Sequence, residues 1–184
     1  TPLWNYTTGI GVYSIAISAD GEYIAAGGGD DKVYFFDKDS STPLWSYETG
    51  GDVRSVAISA NGEYIVAGSE DDKVYLFDKD SSTPLWNYET EGDVRTIAIS
   101  ADGEYITAGS RDDYGNDDGG NKVYLFDKDS STPLRNYTAG GAIDISADGE
   151  YITVGSGKIS LFHKDSSTPL WSYTTEEAVE SIDI

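Results

Sequence analysis

TPLWSYETGGDVRSVAISANGEYIVAGSEDDKVYLFDKDSS, residues 42–82, decides the fold. The block is one period of a repeat. Aligned on Thr-Pro-Leu, its copies start at Thr1, Thr42, Thr83, Thr132 and Thr168, at spacings of 41, 41, 49 and 36 residues. Periods of this length belong to propellers and solenoids. The block holds four short runs rich in Val, Ile, Tyr, Phe and Trp: VRSVAIS (53–59), EYIVAG (63–68), KVYLFD (73–78) and LWSY (44–47), with LWNY (85–88) its next copy. Such residues suit a pleated, half-buried surface. No stretch keeps a helical period over three turns.

Turn residues separate the runs. Asp20-Gly21, Asn61-Gly62, Asp102-Gly103 and Asp148-Gly149 stand between first and second runs, where tight hairpins need positive φ. Asp-Lys-Asp-Ser-Ser joins third to fourth runs, and its Asp and Ser side chains can bond neighbouring amides. The Pro of each Thr-Pro-Leu precedes the fourth run, where a missing N–H is tolerated. Four short antiparallel strands per period predict an all-β fold, a β-propeller of four-stranded blades. The predicted inter-blade core is Ile15, Val56 and Ile97; Ile17, Ile58 and Ile99; Tyr23, Tyr64, Tyr105 and Tyr151; and Phe36, Phe77, Phe126 and Phe162.

The chain has 184 residues, 33 acidic and 12 basic, for a net charge of −21. Its length fits one domain over residues 1–184, or a segment of one. That much negative charge repels phosphate backbones and anionic lipid, which excludes nucleic acid and membrane surfaces as partners. It suits solubility, cation binding or a salty medium. There is no cysteine, so disulfides, thiolate metal sites and Cys nucleophiles are excluded. No apolar run approaches the roughly 20 residues of a spanning helix. No signal peptide is visible, although the first residue already lies inside a repeat.

Two family likenesses run through the repeat. VRSVAISANGEYIVAGSEDDKVYLFD resembles the first three strands of a WD repeat, with the terminal Trp-Asp replaced by Phe36-Asp37, Phe77-Asp78 and Phe126-Asp127. The Gly-His dipeptide of that family is missing, and with it the family's hydrogen-bond network. KVYLFDKDSSTPLWSYETG resembles the pyrroloquinoline-quinone-type propeller repeat, whose blades end in a Trp that docks between sheets. Here those positions are Trp4, Trp45, Trp86 and Trp171, with Arg135 departing from the pattern. The hybrid is similar to propellers of prokaryotic, especially archaeal, surface proteins. The resemblance implies scaffolding or ligand binding rather than catalysis.

The phase of the repeat is as informative as its count. Residues 1–8 read as the outer strand of a preceding blade. Four complete blades follow, at 11–49, 52–90, 93–138 and 141–174, and AVESIDI (178–184) reads as a lone inner strand. The chain is therefore expected to be a segment of a propeller of about seven or eight blades, a ring of about five with one blade incomplete, or a body that joins copies of itself or another chain.

Candidate sites are few. RDDYGNDDGGN (111–121) replaces the short Glu70-Asp71-Asp72 turn and accounts for the eight-residue excess. Asp112, Asp113, Tyr114, Asn116, Asp117 and Asp118 are its partner-binding candidates. Its carboxylates could ligate Ca²⁺ through oxygen, but the spacing fails the D-x-[DN]-x-[DN]-G pattern, so no metal or cofactor is assigned. Arg54 and Arg95 begin equivalent inner strands near the expected channel. They can bind an anionic partner or pair with Asp52, Asp93 or the acidic turns. Asp144 and Asp183 replace Ala57 and Ala98, and each needs a partner if buried. His163, the single histidine, replaces Asp78 and has no second polar group at a readable spacing. Asn5 and Asn136 head N-glycosylation sequons, relevant only to an exported chain. The sequence predicts a non-enzymatic binding or scaffold module of an extracellular or cell-surface protein, with an unknown protein or glycan partner. A structural subunit of a surface layer or filament and a quinoprotein-like enzyme fragment are the alternatives.

Overall fold

The structure, a computed structural model, describes residues 2–111, 121–139 and 141–184. These contain sixteen strands in four antiparallel sheets, each in chain order. The first sheet is β1 (Val12–Ile17), β2 (Tyr23–Gly28), β3 (Lys32–Asp37) and β4 (Trp45–Glu48). The second is β5 (Val53–Ile58), β6 (Tyr64–Ser69), β7 (Lys73–Asp78) and β8 (Trp86–Glu89). The third is β9 (Asp93–Ile99), β10 (Tyr105–Arg111), β11 (Lys122–Asp127) and β12 (Arg135–Thr138). The fourth is β13 (Ala142–Ile145), β14 (Tyr151–Gly155), β15 (Lys158–His163) and β16 (Trp171–Thr174). No helix occurs among the described residues, and none is long and apolar enough to cross a membrane. The architecture is the expected four-bladed propeller arc. Fourth strands begin at Trp45 and Trp86, one residue later than the apolar pattern suggests, because Leu44 and Leu85 are more than half exposed.

The hairpin turns differ from the two-residue form. Only the glycine takes positive φ, 74° at Gly21 and 72° at Gly62. The preceding Asp or Asn instead accepts a hydrogen bond from a backbone amide: Asp20 Oδ1 from the Glu22 N–H at 3.0 Å, Asn61 Oδ1 from Glu63 at 3.1 Å. The Ser18 and Ser59 hydroxyls close each turn by accepting from Tyr23 N–H and Tyr64 N–H, both at 3.0 Å. The Asp-Lys-Asp loops are Asx turns: Asp37, Asp78 and Asp127 accept from the amides of Asp39, Asp80 and Asp129.

Each sheet has two apolar faces and must be covered twice. One cluster joins the first two blades through Phe35, Val53, Val56, Ile65 and Phe77; a second joins the next pair through Val66, Leu76, Val94, Ile106 and Phe126. Leu125, Ile143, Ile152 and Phe162 belong to a third. A fully buried Phe such as Phe77 contributes about 1.5–3 kcal/mol. Gly27 and Gly68 make room for the neighbouring blade: a Cβ there would lie 2.4 Å from Val53 Cγ1 and 2.5 Å from Val94 Cγ1.

Trp45 locks the interface. Its ring stacks on Phe35 of its own blade at 5.1 Å and on Phe77 of the next at 5.2 Å. Its indole N–H donates across to the Lys79 carbonyl at 2.8 Å. Trp86 repeats this with the Lys128 carbonyl at 2.7 Å, and at the fourth blade Arg135 Nε substitutes, donating to the Lys164 carbonyl at 2.8 Å.

The two terminal segments keep phase but not pairing. Trp4 donates to the Lys38 carbonyl at 2.6 Å and stacks on Phe36 at 5.5 Å, as an outer strand of a preceding blade would. Val179 lies against Gly155 as Val53 lies against Gly27. Neither segment is paired into a sheet. Ile15 and Ile17, expected in the core, are 67% and 61% exposed, and Tyr151 is 38% exposed. Val56 and Ile97, the counterparts of Ile15, are buried against the blade before them.

This contrast gives a stability test. In dilute solution, Trp86→Ala is expected to lower unfolding free energy by about 3–5 kcal/mol. Trp171→Ala, at a ring half exposed, changes it by no more than about 0.5 kcal/mol. Urea denaturation followed by circular dichroism measures both.

Candidate functional site

One position in each of the first three inner strands escapes the regular ladder. The register of β1 on β2 shifts between Val12 and Ser14, and that of β5 on β6 between Val53 and Ser55. In β9 the shift falls where Thr96 pairs Gly109 but Val94 pairs Ser110. The bulged residues are Tyr13, Arg54 and Arg95. A bulge turns a side chain out of the pleat, and these three meet at one mouth of the propeller.

Arg54 Nε donates to Glu70 Oε1 at 2.7 Å, and its Nη2 lies 3.1 Å from Asp52. Its guanidinium sits 4.4 Å over the Tyr13 ring. Arg95 Nη2 reaches the same Glu70 oxygen at 3.2 Å and Asp93 at 2.5 Å. A ribbon therefore runs Tyr13–Arg54–Glu70–Arg95–Asp93 across three blades. The Glu70 hydrogen bond, helped by Glu70 and Asp52 charge and opposed by burial, pushes the Arg54 pKa further up. Pairing with Asp52, Asp93 and an acidic turn follows the sequence expectation; that one carboxylate, Glu70, takes both arginines is what the structure adds. Its signal lay in the repeat: Glu70 stands where the first copy has Gly29 and the third Arg111. At Gly29 the room of a side chain is taken by the Tyr13 ring, whose hydroxyl would lie 2.7 Å from a Cβ.

Beside the ribbon is a cavity of about 570 Å³ whose wall includes Arg95, Ser110, Arg111, Asn121, Gly141 and Glu180. Arg111 and Asn121 are the two ends of the long β10–β11 connection. The candidates Asp112, Asp113, Tyr114, Asn116, Asp117 and Asp118 lie outside the described residues, as does the Ca²⁺ reading built on them. Among the described residues no group of three or more His, Asp or Glu is arranged to hold a metal. The Arg95 side chain is 42% exposed and its ion pairs use only Nη2. Its other N–H groups make no hydrogen bond or ion pair among the described residues.

The remaining candidates are accounted for locally. His163 takes the role of the Asp it replaces: its Nδ1 accepts from the Asp165 amide at 3.2 Å, and its Nε2 lies 3.3 Å from Glu150. Asn5 and Asn136 are exposed. Asp144 is partnered by the terminal segment: its Oδ2 accepts from the Ile184 amide at 2.9 Å. Burial, a hydrogen bond to Asp183 and the charge of Asp183 raise its pKa against two backbone amides that lower it.

Opposite pH signs follow. Asp20 and Asp148 are held below the usual carboxylate range by serine hydroxyls and backbone amides. Their stabilisation is present above the unfolded value and lost as pH falls through the lowered one, so global stability should drop below about pH 4. Asp144, raised chiefly by burial, acts in reverse: its contribution to stability is full at low pH and is lost as pH rises through its folded value. Asp144→Asn should remove that loss, measured by urea denaturation at a series of pH values.

The fold and mouth bear comparison with known proteins. A family model described as outer membrane protein assembly factor BamB matches residues 1–138. Comparison with curated proteins yields no match. The match spans the first three blades, with the Trp45 and Trp86 docking just described. With most of its length inside the family model, the chain belongs to the BamB-like family of pyrroloquinoline-quinone-type β-propeller repeats.

Proposed function

We propose that this chain is a non-enzymatic binding or scaffold module that holds a protein or glycan partner at one propeller face, outside the cell or at its surface. One observation carries the reading. In a tandem repeat most packing positions recur, and two positions that vary strongly in charge and size lie together at one mouth. Tyr13, Arg54, Arg95, Gly141 and Glu180 occupy one repeat position; Gly29, Glu70 and Arg111 occupy another. All but Gly29, Tyr13, Arg54 and Glu70 line the cavity directly, and the longest connection of the chain springs from its rim. Variation concentrated on loops over a repeated scaffold is the usual arrangement of a recognition surface. The description of the family, an outer-membrane assembly factor, supports a protein partner and a cell-envelope setting.

A quinoprotein-like reading finds less support. Trp4, Trp45 and Trp86 are committed to blade packing, with each indole N–H given to a lysine carbonyl. Their rings are not free to stack a quinone in the channel.

The test replaces residues 112–120 with a three-residue turn and, separately, Arg95 with Ala. Capture of cell-envelope proteins and binding to a glycan array should each be compared with the parent chain. A loss of at least about tenfold in one assay, with unchanged circular dichroism, is expected, since a buried charged contact carries over about 1.4 kcal/mol. Equal capture by all three proteins would remove the mouth from the binding surface.

A further inference from the structure

In the first two blades the turn between second and third strands sets a carboxylate into a cradle of donors. Asp71 Oδ2 accepts from the Tyr75 hydroxyl at 2.5 Å and, across the interface, from the Gly50 N–H of the preceding blade at 2.7 Å. Asp30 Oδ2 does the same in the first copy, accepting from the Tyr34 hydroxyl at 2.7 Å and the Gly9 N–H at 2.9 Å. Ser69 completes the second cradle. Its hydroxyl accepts from the Asp71 amide at 3.2 Å and donates to the Gly51 carbonyl at 2.9 Å.

The third copy keeps the donors without those contacts. Tyr124, Ser110 and the Glu91 N–H stand where the second copy has Tyr75, Ser69 and the Gly50 N–H. Tyr124 and Ser110 are 2% and 3% exposed, and neither hydroxyl has a hydrogen-bond partner among the described residues. The groups nevertheless converge. Burial pushes the Tyr124 pKa up and the Glu91 charge adds to it, while the Glu91 amide, Ser110 and Lys122 are near enough to oppose. Ser110 also lines the cavity of about 570 Å³ at the mouth, which puts the cradle at the cavity wall. Glu91 alters the other approach. A Cβ on Gly9 or Gly50 would lie 3.2 or 3.1 Å from the Cβ of Asp30 or Asp71, and Glu91 carries such a Cβ, so it crowds the place from which a turn aspartate enters.

We propose that Tyr124, Ser110 and the Glu91 N–H form a binding site for a carboxylate that enters from the mouth cavity. Two hydroxyls and one amide N–H supply the donors, and the tyrosine and the amide act as their counterparts do on Asp71. A buried hydroxyl without an acceptor costs free energy, and a charged acceptor recovers more than a neutral one. A carboxylate is the anion indicated, because the same pair of donors holds one twice in this chain. Lys122, paired with Glu91, brings positive charge to the edge of the site. The net charge of −21 opposes the approach of an anion, so screening by salt favours binding. The site names a ligand chemistry for the mouth; it rests on the binding reading above only for the source of the carboxylate.

Acetate is the probe, exchanged for chloride at about 0.5 M total salt, where the Debye length is about 4 Å. Backbone amides are followed by proton–nitrogen correlation NMR. The Glu91 amide is expected to shift saturably, whereas the Gly9 and Gly50 amides, already given to Asp30 and Asp71, should not respond. Tyr124→Phe should raise the half-saturating acetate concentration at least about tenfold, as loss of a hydrogen bond to a charged group requires. Without acetate, the same variant should keep or raise the urea midpoint, since its hydroxyl gives up no partner, while Tyr75→Phe should lower it. N-acetylaspartate amide separates the sources: tighter binding than acetate marks a peptide side chain, weaker binding a small free carboxylate. An unmoved Glu91 amide, or equal shifts at all three amides, would overturn the proposal and leave the capture experiment to decide the wider mouth. A shift that appears only once Asp112, Asp113, Asp117 and Asp118 are changed to Asn would show the chain filling its own cradle, and would equally overturn it. So would a fall in the urea midpoint of Tyr124→Phe as large as that of Tyr75→Phe.

Discussion

A four-stranded blade with two apolar faces cannot be stable alone, and everything else in this protein follows from that constraint. The remedy is the tryptophan of the outer strand. Trp45 is held between Phe35 of its own blade and Phe77 of the next, and its N–H satisfies a carbonyl that the Asx turn at Asp78 presents. The aromatic stack supplies apolar burial; the hydrogen bond sets angle and register. Glycines at 27 and 68 remove the Cβ that would keep blades apart. Where Arg135 replaces the Trp, the donor survives and the ring is lost, and Leu125, Ile143, Ile152 and Phe162 carry the packing.

The same economy separates the packing positions from those at the mouth. Residues that make blades are nearly invariant from copy to copy, because each solves the same packing problem. Tyr13, Arg54 and Arg95 are released from that problem by a bulge, which takes them out of the pleat and toward the mouth. There they are free to differ. Glu70 joins two arginines from adjacent blades, so the polar ribbon also ties the inner strands together.

His163 illustrates how a conspicuous residue can be ordinary. As the single imidazole of the chain it invites an acid–base role. It occupies the Asx position of its loop, and Nδ1 accepts the same i+2 amide that a carboxylate oxygen accepts in the other copies. Asp144, unremarkable in sequence beyond replacing an alanine, proves the more consequential substitution, because it faces the terminal segment and a second carboxylate.

The period, the strand composition and the turn residues determined the class of fold, the number of blades in this stretch and part of the core, because each of those depends on contacts repeated at every copy. Phe36, Phe77, Phe126 and Phe162 were legible for that reason, as was the docking role of Trp45 and Trp86. What depends on a neighbour in space was not legible. Ile15 and Ile17 carry the pattern of core residues, yet burial needs a preceding blade to supply the other surface. Ser18 and Asp20 signalled a hairpin, but only the backbone decided that Gly21 alone turns to positive φ. The Glu70 bridge required knowing that a bulge brings two inner strands to one carboxylate. Sequence determined what each blade is made of; tertiary structure decided which faces are covered and which side chains meet, since burial and ion pairing belong to pairs of surfaces and not to single residues.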